Sequence, residues 1–145
     1  MNPFEFIAPE SLEAAYRAFA EEAGTALIAG GTDLIPLLKS RARKPARLLS
    51  LQRIGELRDL TLRENGLFVG ATITLAEAAE NPIVQKYIPA LAESAKNAAS
   101  PQIRHQGTVG GNILQERRCH YFNQTETWRA NIPACFALKG AVCHQ

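Results

Sequence analysis

No stretch of this chain stays apolar for long enough to cross a membrane. Neither common glycine fingerprint for a nucleotide occurs: there is no GxGxxG, and no GxxxxGK followed by Ser or Thr. The formal charge is only +2, which gives no electrostatic case for nucleic acid or an anionic lipid surface. Cysteine is scarce and uneven, with three residues at 119, 135 and 143, none of them in a CxxC pair. An odd, clustered set fits a disulfide framework poorly and points to a metal or to free thiols. The opening MNPFEFIAPESLEAA has neither a basic leader nor an uninterrupted apolar core, so no secretory signal is read there and the expected location is cytoplasmic.

What is present is ordinary for a globular protein: 46% hydrophobic and 21% charged residues in 145. That length suffices for one domain with a real core, or for two small subdomains sharing an interface. After Pro9-Glu-Ser11, residues Leu12, Ala15, Tyr16 and Phe19 form a helical stripe. Gly24 stops that helix. A short strand (25–29) leads through AGGTD into a helix (33–42) with Leu34, Leu37 and Leu38 on one side, capped by Thr32 or Asp33. The basic connection RARKPAR, read as a solvated surface, precedes a second apolar run at 48–51. The unit is therefore β–α–β, and its two strands should be parallel neighbours.

Beyond residue 55 the pattern changes. Two β-rich runs flank Asn65-Gly66, a hairpin signal. Thr74-Leu-Ala-Glu77 is a capping box, and Asn81-Pro82 ends the helix it starts. A further helical stretch runs to about Ala99, bent or divided at Pro89, with Ile83, Tyr87, Leu91 and Ala95 able to line one face. The expected class is α+β: a small parallel βαβ subdomain (1–55), then a second subdomain with antiparallel strands (56–113). A cysteine-bearing tail follows (114–145).

Two short segments stand out, AGGTD (29–33) and TVGGN (108–112). Glycine lets a ligand approach the backbone, and exposed amides where a strand gives way to a helix suit an anion such as phosphate. Together the two segments could close on a pyrophosphate, with Thr32, Thr108 and Asn112 adding side-chain bonds. Two unrelated turns would look the same.

AGGTDL, LFVGATITL (67–75) and ASPQIRHQGTVGGNI (99–113), in that order, resemble the flavin subunits of the molybdenum hydroxylases, the xanthine dehydrogenase group. The resemblance implies an FAD-binding fold of the vanillyl-alcohol-oxidase type, with FAD held between two α+β subdomains. It implies that Ala29, Gly30, Gly31, Thr32, Asp33 and Leu34 wrap the FAD pyrophosphate. Thr108, Gly110, Gly111 and Asn112 would face it from the other side, and Thr72, Thr74, Gln102, Ile103 and Gly107 are further candidates. No catalytic acid, base or nucleophile is implied, because the flavin carries the chemistry.

The tail narrows the resemblance. Cys-His-Tyr-Phe-Asn-Gln (119–124), then Trp128-Arg129, then Cys135 and Cys143, is similar to the flavin subunits of 4-hydroxybenzoyl-CoA reductases. These carry a loop that binds a 4Fe–4S cluster. Cys119, Cys135 and Cys143 would be three ligands, thiolate being the donor such irons take. A fourth is expected beyond Gln145, the family's subunit continuing for about as long again. Tyr121, Phe122 and Trp128 would pack the loop, while Arg117, Arg118 and Arg129 would form a solvated or interface face. The implied partners are a molybdenum-cofactor large subunit, a 2Fe–2S small subunit and a ferredoxin-like donor, with no nucleic acid and no membrane. Two rival readings are the flavin subunit of an ordinary molybdenum hydroxylase with incidental cysteines, and a shortened, non-catalytic fragment.

Overall fold

A computed structural model describes residues 2–116, 119–122 and 124–145, so the expectation for Arg117 and Arg118 lies outside the described residues. The chain forms two compact units, Met1–Gln115 and Glu116–Gln145.

The first unit opens with a strand that periodicity does not reveal, β1 (Glu5–Ile7), too short to show an alternation. Helix α1 (Leu12–Glu21) follows, its first turn closed by the Ser11 hydroxyl accepting from the Ala14 N–H. Strand β2 (Thr25–Ile28), helix α2 (Leu34–Lys39) and strand β3 (Arg47–Ser50) complete a three-stranded parallel sheet of order β1-β3-β2. The β2–β3 pairing is parallel as expected, with Ala26 opposite Leu48 and Leu27 opposite Leu49. The addition of β1 makes β3 central rather than an edge. Adjacent residues of a strand point to opposite faces, so burial of both Leu48 and Leu49 means that β3 is covered on both sides.

The buried side of α1 differs from the expected stripe. Ala15 is buried against Leu49 and Ile54, with Leu12 and Ala18 beside it, whereas Tyr16 is 72% exposed and Phe19 48%. The small alanines meet the narrow sheet, and the large rings fall outside that line of contact.

Strands β4 (Leu60–Arg63) and β5 (Gly66–Val69) form the antiparallel hairpin around Asn65-Gly66, with Gly66 at φ +136°. The capping box opens α3 (Leu75–Glu80): the Thr74 hydroxyl accepts from the Glu77 N–H, and the Glu77 carboxylate accepts from the Thr74 N–H. Proline divides the next stretch into α4 (Pro82–Tyr87) and α5 (Pro89–Asn97). The face expected there is corrected. Val84, Ala92 and Ala95 are buried while Ile83 and Tyr87 are exposed, because the break at Ile88 resets the helical phase and a stripe drawn across it does not persist. Helices α6 (Pro101–Gln106) and α7 (Val109–Ile113) follow, so the second glycine pair lies in a helical turn and not in an open loop. Ile73, Leu75, Ala78, Ala95 and Val109 form this region's core, onto which the hairpin packs through Leu60 and Val69.

The second unit is a small, mostly irregular body whose described residues include a short helix, α8 (Glu126–Arg129), capped by Thr125, and a 3-10 turn at Phe136–Leu138. Tyr121 is its packing centre, with the Trp128 ring 6.0 Å away and the His144 ring 5.4 Å away. Arg129 does not form an open solvated face: it is half-buried and donates to the Phe122 and Gln124 carbonyls. Cys135 pairs with Val142 in an isolated parallel bridge, closing a tight loop through Gly140.

Candidate functional site

The AGGTD segment leaves β2 and enters α2. Its start is anchored: Gln52 Nε2 donates to the Ala29 carbonyl at 3.0 Å, and the Leu51 N–H donates to the Ile28 carbonyl at 2.9 Å. Gly31 has φ +72°, a hand that favours glycine, and its carbonyl accepts from the Ile35 N–H. Asp33 sits at the cap position of α2 without a side-chain capping bond, and Leu34 is the first helical residue, half-buried. Among the described residues, the backbone N–H groups of Gly30, Gly31 and Thr32 have no hydrogen-bond acceptor. Three successive amides without an internal acceptor, around a residue of positive φ, are a donor run of the kind from which anion-binding nests are built.

The TVGGN segment is built differently. Residues 71–75 and 107–110 run antiparallel, with Thr74 bridged to Thr108. Leu75 N–H donates to Gly107 O, Val109 N–H to Ile73 O and Gly110 N–H to Ala71 O, all at 2.8–2.9 Å. Thr108 caps α7, its hydroxyl accepting from the Gly111 N–H at 3.1 Å, and the Asn112 N–H donates to the Thr108 carbonyl. The amides of Gly110, Gly111 and Asn112 are thus committed within the protein, and what this segment presents outward is the exposed Asn112 side chain.

The two segments are nevertheless adjacent. A side-chain carbon placed on Gly30 would lie 1.7 Å from the Gln106 carbonyl oxygen, and one placed on Gly107 would lie 3.4 Å from Thr32 Oγ1. The glycines are therefore not open approaches for a ligand's bulk on their Cβ side. At Gly30 that space holds backbone carbonyl, at Gly31 the ends of Ile28 and Ile35, and at Gly110 the Ala71 Cβ and carbonyl.

The remaining candidates divide. Thr72 is buried and donates from its hydroxyl to the Leu57 carbonyl at 2.8 Å. Thr74 is occupied by the capping box, and the Glu77 that completes it is also paired with Arg58 at 2.6 Å. The Glu77 carboxyl is held below the ordinary glutamate range, chiefly by the Thr74 backbone N–H; burial opposes this, and the Thr74 hydroxyl and Arg58 lower it further. Gln102 and Ile103 lie exposed on α6, as does His105. Gln52, Ala71 and the Gln106 carbonyl frame the site, and sequence reasoning did not single them out. The signal for two of them was the glycine opposite, since a glycine marks a close backbone approach as readily as it marks a ligand.

Cys119 and Cys135 are half-buried free thiols, and Cys143 is an exposed one. Among the described residues, no three of His, Cys, Asp and Glu come together as a metal site. The three cysteines in this arrangement do not fit a cluster. Nor does any helix among the described residues have the length and apolarity to cross a membrane.

Residues 2–144 match the family described as FAD binding domain in molybdopterin dehydrogenase. The chain is 36% identical over 138 residues to the carbon monoxide dehydrogenase medium chain of Hydrogenophaga pseudoflava, covering 94% of this chain and 47% of that one. It is 36% identical over 115 residues to the nicotinate dehydrogenase FAD-subunit of Eubacterium barkeri, covering 78% and 39%. Among solved structures, the Hydrogenophaga pseudoflava carbon monoxide dehydrogenase lacking the Mo-pyranopterin moiety superposes with TM-score 0.74 at 38% identity, covering 78% of this chain and 40% of that one. Quinoline 2-oxidoreductase from Pseudomonas putida 86 gives TM-score 0.75 at 32% identity, covering 77% and 39%. The chain spans less than half the length of these relatives.

Proposed function

Since the chain belongs to the family of FAD-binding domains of molybdopterin dehydrogenases, we propose that it holds the pyrophosphate of FAD in the flavin subunit of a molybdenum-hydroxylase-type oxidoreductase. The observation that carries this reading is the run of three amides at Gly30, Gly31 and Thr32 with no internal acceptor among the described residues. They donate to the phosphate oxygens, and the Thr32 hydroxyl and the Asn112 side chain add donors at the rim. Bound FAD supplies the electron carriage. The chain's part is to fix the diphosphate by backbone groups that do not titrate. In this assignment residues 1–55 and 56–113 are the two flavin-binding subdomains, and 114–145 a separate cysteine-bearing loop. Partners of the whole protein are a molybdenum-cofactor large subunit and a 2Fe–2S small subunit, in the cytoplasm. Titration of the 145-residue chain with FAD tests the reading: saturable quenching of flavin fluorescence, reversed by inorganic pyrophosphate, is expected. Absence of saturable binding refutes it.

A narrower reading makes the protein a flavin subunit of 4-hydroxybenzoyl-CoA-reductase type, with a 4Fe–4S cluster and a ferredoxin-like donor. Its support is the segment Cys119-His120-Tyr121-Phe122 with Cys135 and Cys143, all confined to one 30-residue unit, 116–145. Among the described residues those thiols are not gathered in an arrangement that fits the cluster, and three thiolates leave a fourth ligand to be supplied. Anaerobic reconstitution with iron and sulfide decides the matter. Cluster absorption and an EPR signal abolished by Cys135→Ser are expected on this reading. Iron uptake indifferent to that change favours an ordinary molybdenum-hydroxylase subunit with incidental cysteines.

A further inference from the structure

The neighbours of the two glycines in AGGTD differ in kind. A side chain on Gly31 would meet Ile35 Cγ1 and Ile28 Cδ1 at 3.0 and 3.3 Å, side-chain atoms rather than backbone. A side chain on Gly30 would meet the Gln106 carbonyl oxygen at 1.7 Å and its carbon at 2.6 Å. That peptide cannot yield alone. The Gly107 N–H is tied to the Ile103 carbonyl at 2.6 Å, and the Gly107 carbonyl takes the Leu75 N–H at 2.9 Å. The peptide 106–107 is therefore fastened to α6 through its own N–H, and the peptide that follows it, 107–108, to the start of α3. The oxygen of peptide 106–107 lies directly against the Gly30 Cα.

We infer that Gly30 is a positioning residue: the clamped 106–107 peptide seats in the space of its missing side chain and holds the Gly30–Thr32 amides in line. The role in ligand binding rests on the flavin reading above. On this account the second glycine segment serves the first through its backbone rather than by adding donors of its own. A change at Gly30 is transmitted into the α6–α7 joint, whereas a change at Gly31 stays in the loop.

The experiment compares Gly30→Ala with Gly31→Asn in the 145-residue chain, reading FAD affinity and amide hydrogen exchange at Leu75 and Gly107. Gly30→Ala is expected to weaken FAD binding at least tenfold and to speed exchange at both amides by a similar factor, with cooperative unfolding retained. Gly31→Asn, whose side chain tolerates a positive φ, should leave exchange at Leu75 and Gly107 unchanged. Unaltered exchange in Gly30→Ala overturns the inference whatever happens to affinity, and so does faster exchange with full affinity. If the unaltered chain takes up no FAD, the flavin reading fails and takes the ligand-holding role with it. The exchange comparison still decides whether Gly30 is the joint. Should Gly30→Ala not fold, Gly107→Ala is the gentler probe, at 3.0 Å from the Ile103 carbonyl and 3.4 Å from Thr32 Oγ1. It should move affinity and exchange in the same direction by a smaller factor; no movement in either contradicts the joint.

Discussion

In AGGTD the N–H groups of Gly30, Gly31 and Thr32 have no acceptor among the described residues, and the glycines fit against a carbonyl and two isoleucines. In TVGGN the N–H groups of Val109, Gly110, Gly111 and Asn112 donate to Ile73, Ala71, the Thr108 hydroxyl and the Thr108 carbonyl. Both segments have two glycines flanked by a threonine and a short polar residue. One leaves its donors open, and the other spends them on building a joint. The difference comes from what precedes each pair. AGGTD follows a strand that ends before the glycines, so nothing continues the ladder. TVGGN is laid antiparallel along GATIT, which claims its amides. Glycine pairing in a sequence therefore marks backbone proximity, and only the accounting of N–H groups separates a ligand cradle from a packing contact.

The sharpest way to break this contrast is Gly110→Ala. Its new methyl carbon would stand 2.7 Å from the Ala71 Cβ and 2.8 Å from the Ala71 carbonyl oxygen. A loss of about 2 kcal/mol in chemical denaturation is expected from overpacking. FAD affinity per folded molecule should fall far less than in Gly30→Ala. A stability unchanged within error would show that Gly110 is not packed as described. Next in size is Gly31→Ala, which forces alanine to φ +72°; about 1 kcal/mol is expected, largely restored in Gly31→Asn. Equal losses in the two variants would mean that crowding by Ile35, not backbone hand, sets the requirement.

Thr108→Ala removes the cap of α7 and frees the Gly111 N–H, at about 1 kcal/mol. Thr108→Ser should recover most of it. If the hydroxyl instead faced the flavin, the alanine variant would lose FAD affinity with stability intact. The smallest effect concerns Glu77, at the start of α3 beside the joint. Its folded pKa lies below the ordinary glutamate value, so the stability it contributes is full above that value and is lost as pH falls through the lower, folded one. Glu77→Gln keeps the capping-box geometry but loses the charge facing Arg58, so at neutral pH a loss on the order of 0.5 kcal/mol is expected. The difference from the unaltered protein should vanish in acid. A difference that persists at low pH would place the effect in packing.

Much of the architecture was legible because local chemistry and fold agree. Asn65-Gly66 specified a hairpin, Thr74 and Glu77 a helix start, and the spacing of two apolar runs a parallel crossover. Three residues of β1 were too few to carry a period. The helical stripes failed where a rule was extended past its reach: across the break at Ile88, and onto Tyr16 and Phe19, which a sheet of three short strands is too narrow to cover. The site was legible as two motifs. The division of labour between them was not, since the partners of Gly30 and Gly110 are backbone atoms of Gln106 and Ala71, and a carbonyl oxygen leaves no mark in a sequence. The resemblance, not the cysteine spacing, implied a cluster, and among the described residues three thiols in one small unit are not gathered as a metal site.

The central claim is that the diphosphate is held by the amides of residues 30–32 and not by those of 110 and 111. The most direct test is amide NMR of the 145-residue chain titrated with FAD. Saturable shifts at Gly30, Gly31 and Thr32, with Gly110 and Gly111 little changed, are predicted. Shifts concentrated at Gly110 and Gly111, with residues 30–32 unmoved, would contradict it.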